Sequence, residues 1–359
     1  MKRILLTIGG LMLIASLAVA QTNGNSSVVD IQGDENLVDV KQGGVGHNAS
    51  SVQQGLGALG YSDKGKALVT QDGEWDEATT TQDGFRNTAN TIQKGGSHLS
   101  SITQEGERNW AKAHQRAKGS NPSFEQESFI SQEGFKNRAD VDQRGSLNTS
   151  LVSQLGGDEN SATLNQKGNG NESQIFQANG DGNIAEVNQA GDGNSSIIGQ
   201  GAAAGALPGN DNEAYVEQVG DDNESDIGQI EGSNNYAEVY QHGDGNSSLI
   251  GQLVGNDNEA YVDQQGNDNV SVLGEAFGNG NSAFITQDGN GNLSLIGELL
   301  GNDNQTAVDQ QGAFNISRVG VAGSANIISV EQTGLLNTSD IQVIGNGNTC
   351  NVKQGGFTP

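Results

Sequence analysis

From residue 183 to 200 the chain reads NIAEVNQAGDGNSSIIGQ, and every second side chain follows one order: Asn183, Ala185, Val187, Gln189, then Asn194, Ser196, Ile198, Gln200. Asn, small, aliphatic, Gln at a period of two predicts a β-strand with one buried face and excludes a helix, whose apolar positions recur every three to four residues. The leading Asn recurs at 212, 235, 258, 281 and 304 in steps of 23, and the intervening one at 223, 246, 269, 292 and 315. Steps of 22 carry the pattern on through Asn326, Asn337 and Asn348. Backwards it passes Asn171, Asn160, Asn148, Asn137, Asn109, Asn87, Asn48, Asn36 and Asn25, with Gly65, Asp76, His98 and Gln126 holding the Asn place in degenerate rows.

Counting rows predicts 28 strands in 14 two-strand units, which is an all-β solenoid with two strands per rung, each rung burying its inner face only against its neighbours. Hydrophobic residues make up 33% of the chain, too few for an ordinary core at this length. The period resolves that shortage. One aliphatic residue per strand fills a thin core, and stacked amides, represented by Asn183, Gln189, Asn212, Gln218, Asn235, Gln241, Asn258, Gln264, Asn281, Gln287, Asn304 and Gln310, form ladders bonded along the stack.

Three insertions fall between rows, at 56–64, 116–125 and 201–211, the last two carrying Pro122 and Pro208, which cannot donate to a strand ladder. They read as loops on one continuous solenoid over 21–356, with a tail at 357–359; the second and third also fit joints between blocks. The turns are rich in Gly, Asn and Asp, as at 180–182, 191–193 and 243–245, because tight reversals need positive φ. Calcium-binding β-rolls use similar strings at a nine-residue period, and the 11- or 12-residue rows here favour turn chemistry instead. Ahead of the rows, Lys2 and Arg3 precede an apolar run from Ile4 to Ala18, and Ala18-Val19-Ala20 supplies a cleavage site before Gln21. Residues 1–20 are therefore expected to be a secretory signal peptide, with no membrane-inserted segment in the exported chain.

No catalytic or metal constellation emerges. His47, His98, His114 and His242 share no ligand spacing and read as scattered, solvated side chains in turns or degenerate rows. Glu213 and Glu217, like Glu259 and Asp263, fall on the outward face, while Glu275 and Glu298 take the inward Gln place one unit apart, where like charges would raise a pKa. Cys350, the single cysteine, sits at a small inward place beside Asn348, Val352 and Gln354, so a buried residue is favoured over a cross-linking thiol. Net charge is −27, and from residue 168 onward the only basic residues are Arg318 and Lys353. That balance disfavours nucleic acid and anionic membranes as partners. No cofactor is expected.

Rows such as Asn235, Ala237, Val239, Gln241, Gly243 followed by Asn246, Ser248, Ile250, Gln252, repeated behind a secretory signal, resemble the curlin repeats of curli subunits, secreted bacterial proteins that polymerise into amyloid fibres. The resemblance spans nearly all of 25–356; the chain departs from it in its greater number of units and in Glu275, Glu298, Val321 and Val343 at Gln places. It implies an extracellular or cell-surface fibre used in adhesion and biofilm matrix, exported through the periplasm. It also implies partners: further copies joined through terminal rungs, other curli-type subunits or a nucleator, and an outer-membrane secretion channel. The rows themselves support assembly, since neither the first, beginning at Asn25, nor the last, ending at Gln354, carries a capping element. A monomeric repeat binder of carbohydrate, ice or protein surfaces is the alternative. One outward feature is independent of the resemblance: Gly199, Gly228, Gly251, Gly274, Gly297 and Gly320 form a column beside Leu249, Val272 and Leu295, an expected lateral contact face.

Overall fold

The computed structural model describes residues 24–32, 36–54, 64–117, 125–201, 209–228, 230–251, 253–274 and 276–355, with Ile230, Glu231 and Glu298 described for the backbone alone. The expected signal peptide, nearly all of the insertions and the tail lie outside them. All elements among the described residues are strands, and no helix is long and apolar enough to cross a membrane. Two parallel sheets stack face to face. Sheet 1 has 14 strands, from Leu37–Val45 to Thr349–Gly355; sheet 2 has 17, from Ser26–Gln32 to Thr338–Ile344. Three rows of sheet 2 are each broken into two strands, so both sheets carry 14 rows and the solenoid has 14 rungs.

Register follows the sequence period. Ile184–Ala190 pairs with Glu213–Val219 so that Ala185 meets Ala214, Val187 meets Val216 and Gln189 meets Gln218. Val187 and Ile198 are fully buried from opposite sheets, and the same aliphatic pair recurs rung after rung. Each such side chain contributes about 1.5–3 kcal/mol on burial. Strands flanking each insertion pair across it: Asn48–Gln54 with Glu77–Phe85, Leu99–Glu107 with Glu127–Phe135, and Ile184–Ala190 with Glu213–Val219.

Two kinds of turn position differ in what they tolerate. Gly243, two residues past its Gln, has φ 122° and a Cβ there would stand 2.1 Å from the Gly266 carbonyl oxygen of the next rung, so only Gly fits. Immediately before the inward Asn, the left-handed conformation is held by Gly245 (φ 67°) in one rung but by Trp75 (60°), Leu147 (57°), Phe314 (55°) and Leu336 (58°) in others. The turns are thus rich in Gly, Asn and Asp without being confined to them. Those bulky side chains point into solvent, and inter-rung bonds, such as Leu336 N–H to Ala313 O at 3.1 Å, hold their backbone in place.

A correction concerns the 12-residue rows of sheet 2. Ile296 pairs with Val319, yet the next inward partner of Val321 is Leu299, because the row bulges between them. Leu253, Ala276 and Leu299 are buried in the inward column. Aliphatic residues thus take the place assigned above to Gln252, Glu275 and Glu298. Gln252 and Glu275 lie outside the described residues, as does the Glu298 side chain.

Candidate functional site

The inner wall of the rod is its chemically distinctive part. Alternation of buried and exposed positions along each strand aims Asn and Gln inward, at the two edges of the core. Gln189, Gln218, Gln241, Gln264, Gln287 and Gln310 are buried, and each donates its Nε2–H to the next Oε1 at 2.8–2.9 Å. Gln310 continues the ladder to Gln332 at 2.8 Å. The same nitrogens also donate across the core to sheet 2 carbonyls, Gln218 to Ser195 O at 2.9 Å and Gln241 to Glu224 O at 2.8 Å. The Gln ladder therefore binds rung to rung and sheet to sheet.

Asn183, Asn212, Asn235, Asn258, Asn281 and Asn304 run with the opposite sense. Asn212 donates its backbone N–H and Nδ2–H back to Asn183 Oδ1 at 3.1 and 3.2 Å, and Asn281 does the same to Asn258 at 3.1 and 3.2 Å. Nδ2 makes a further bond to a turn carbonyl, as Asn258 does to Gly278 O at 2.8 Å. All these amides are at most 2% exposed with their bonds made, so the two amide columns are satisfied.

Near the N-terminal end of the rod the Asn column of sheet 2 is held by other residues. His47, not Asn48, occupies the inward place: Asn25 Oδ1 accepts the His47 N–H at 3.0 Å, and Asn48 is exposed. His47 Nδ1 accepts the Asp76 N–H at 3.2 Å, and Asp76 Oδ1 accepts the His98 N–H at 3.1 Å. Asp76 Oδ2 takes the place of an Asn nitrogen but finds no hydrogen-bond partner; it lies 3.5 Å from His47 Nδ1 with both side chains fully buried. Burial pushes the Asp76 pKa up against the opposing pull of His98, and burial pushes that of His98 down. The expectation of solvated histidines fails for three of the four. His47 and His98 are 1% exposed in the column and His114 is 6% exposed beneath Arg116 and Asp142, with its pKa lowered to about 4, first by burial. His242 is exposed, 3.4 Å from Glu217.

Outward residues stand where the alternation puts them. Glu213, Glu217, Glu259 and Asp263 line the outer face of sheet 1. On sheet 2, Leu249 is 40% exposed, and Val272 and Leu295 are partly exposed in the same column. The Gly column beside them has an internal reason at its centre: a Cβ on Gly251 or Gly274 would stand 2.9 Å from the carbonyl oxygen of the next Gly. Gly199, Gly228 and Gly297 have more room, and Gly320 has nothing within 4 Å. Cys350 faces inward over Ile328 in the last rung, half-buried and packed on the core. Among the described residues no group of three or more His, Cys, Asp or Glu is placed to hold a metal ion.

A two-sheet parallel solenoid with amide ladders at the edges of its core is the architecture of a repeat protein. The curlin associated repeat matches it seven times, over residues 76–106, 129–156, 157–191, 209–230, 232–266, 255–289 and 301–334, more than half of the chain. The chain belongs to the curlin-repeat family. No curated protein matches it.

Proposed function

We propose that this chain is a secreted subunit that polymerises end to end, through its terminal rungs, into a curli-like extracellular fibre serving adhesion and matrix. The observation that carries the reading is that the first and last rungs match column by column. In sheet 2, inward Ser27, Val29 and Ile31 face, across such a junction, Ser339, Ile341 and Val343. Ile31 and Val343 both stand in the column held by Gln53 and its successors in the N-terminal half, so the two departures from Gln meet as an apolar pair. In sheet 1, Val38, Val40 and Gln42 would meet Cys350, Val352 and Gln354. Among the described residues the outer edges of these four strands pair with nothing, and Val29 and Ile31 are 37% and 38% exposed. Open strand edges of this kind template further pairing, and a second copy adds no new type of contact.

In the fibre, the outward column of Leu249, Val272 and Leu295, with the glycines beside it, forms the lateral contact. The reading is tested on the purified mature chain by thioflavin T fluorescence and electron microscopy, with Val343→Lys as the partner variant. Wild type forms seeded fibres, and the variant keeps its monomer fold while elongation stops. A wild-type monomer that remains unassembled for days in the presence of seeds overturns the proposal.

A further inference from the structure

Of the chain's five tyrosines, the four described ones stand together on the outer face of sheet 1, on three successive rungs. They alternate with carboxylates along their columns, except that Tyr261, above Glu238, has Phe284 on its other side. Tyr215 lies between Glu186 and Glu238, Tyr236 between Glu213 and Glu259, Tyr240 between Glu217 and Asp263. No tyrosine therefore sits directly above another; they meet along diagonals, and only as pairs. Ring centroids are 5.7 Å apart for Tyr215 and Tyr236 and 5.9 Å for Tyr240 and Tyr261, with the planes tilted by 40° and 56°. The phenols are tied to the carboxylates between them: Tyr236 Oη donates to Glu238 Oε2 at 2.7 Å and Tyr215 Oη to Glu213 Oε2 at 3.1 Å. All four rings are partly exposed, so a diffusing oxidant reaches them.

We propose that this checkerboard is a modification site at which Tyr215 joins Tyr236, and Tyr240 joins Tyr261, as dityrosine, the oxidant being hydrogen peroxide activated by a one-electron peroxidase. Each phenol gives one electron to the oxidant and its hydroxyl proton to the neighbouring carboxylate. The two phenoxyl radicals form one carbon–carbon bond between ring positions ortho to oxygen. Each ortho hydrogen then leaves its carbon as a proton and a proton returns to each oxygen, restoring two phenols. Over the reaction two electrons and two protons convert one hydrogen peroxide to two waters. The carboxylates have a second effect, since burial and Glu213 hold the Tyr215 pKa up at about 12 and Tyr236, Tyr240 and Tyr261 are likewise raised. Phenolate is thereby suppressed, and for Tyr215, Tyr236 and Tyr240 the proton leaves together with the electron into a carboxylate already hydrogen-bonded to it, while Tyr261 has Asp263 and Glu238 near it. A rotation of two surface side chains closes the remaining gap, and joined aryl rings keep a twist of the kind these rings already have. The product staples three rungs covalently in a molecule whose single cysteine allows no internal disulfide.

The inference stands apart from polymerisation and is tested on soluble monomer. Dilute mature chain is treated with hydrogen peroxide and a haem peroxidase, then read by dityrosine fluorescence and by mass spectrometry of linked peptides. Expected are monomeric products, at a yield independent of protein concentration, in which the two named pairs are each two hydrogens lighter. Tyr236→Phe removes the first link alone and Tyr261→Phe the second alone. Glu238→Gln slows both links several-fold, because Glu238 serves Tyr236 and Tyr240. Links mainly between molecules, links scattered among all tyrosines as in denatured chain, or a yield no higher than that of denatured chain overturns the proposal.

Discussion

Gln241 Nε2 donates at once to Gln264 Oε1 at 2.9 Å and to Glu224 O at 2.8 Å, so one buried amide joins its rung to the next and its sheet to the opposite one. Gln241→Leu removes both bonds, leaving Gln264 Oε1 without its donor and one Nε2 hydrogen of Gln218, whose other goes to Ser195 O, without its acceptor. A loss of about 2–3 kcal/mol is expected from the buried groups left unpaired. The outward neighbour Tyr240→Ala is expected to change stability by less than about 1 kcal/mol. Chemical denaturation of the monomer checks the pair, and a larger loss from the outward change would mean that the facing of the strands is inverted.

Gly243 and Gly320 separate two uses of glycine. Gly243→Ala places a methyl group 2.1 Å from a carbonyl oxygen at a left-handed φ, so the rungs must part, and a loss above about 2 kcal/mol is expected. Gly320→Ala meets nothing within 4 Å and should be neutral or slightly stabilising. Thermal melts of the two variants give the comparison.

Asp76 and His98 make the N-terminal rungs sensitive to pH from both sides. Burial raises the Asp76 pKa above its ordinary 3.8, so this group's contribution is fully present below 3.8 and is lost as pH rises through the folded value. His98, lowered from 6.5, contributes above 6.5 and loses that contribution as pH falls. Between 3.8 and 6.5 neither contribution is complete, so the stability of residues 64–107 should pass through a minimum at intermediate pH, read as the fastest hydrogen exchange once its intrinsic pH dependence is divided out. Asp76→Asn restores the missing donor and removes the fall on the acid side of that minimum alone, with a gain of about 1–2 kcal/mol at neutral pH. An unchanged acid-side fall in that variant would assign it elsewhere.

Cys350 reports on the proposed junction. It is half-buried in the last rung with Ile328 on one side only. A maleimide should label it in soluble protein and fail to label it inside fibres, where the Val38 column of the next molecule covers it. Equal labelling in both states would mean that the last rung stays open.

Leu249, Val272 and Leu295 test the lateral face more cleanly than the glycines, because a side chain on Gly251 or Gly274 also strains the fold. Changing all three to Lys should leave single filaments growing and abolish their bundling, scored by electron microscopy. Bundles of normal width would remove this face from the assembly.

The rows were legible because a period of two inside a period of 22 or 23 leaves a repeated Asn and Gln as register marks, and Ala185, Val187, Gln189 and their successors bury as that period dictates. Two features were hidden for physical reasons. In the 12-residue rows the extra residue is absorbed inside the strand, where a bulge brings in Leu253 and Leu299; the aliphatic residue following each Gln or Glu was the available signal. At His47 the adjacent Asn48 mimicked the register mark, although Ala49, Ser51 and Gln53, being buried, required Asn48 to point outward. The tyrosine pairs stand 21 residues apart, two short of the 23-residue step that aligns a column, so the column spacing alone did not bring them together.

The opposed donor directions of the Asn and Gln columns make the rod an arrow. At one tip the Asn column ends in backbone donors, at the other in the Asn337 and Asn348 oxygens. Two like tips laid Asn column on Asn column would set oxygen against oxygen or donor against donor, so an arrival in that arrangement is rejected at contact. A filament of such arrows has two chemically different tips. A short peptide copying the rung at 25–42 would block one of them and leave the other growing.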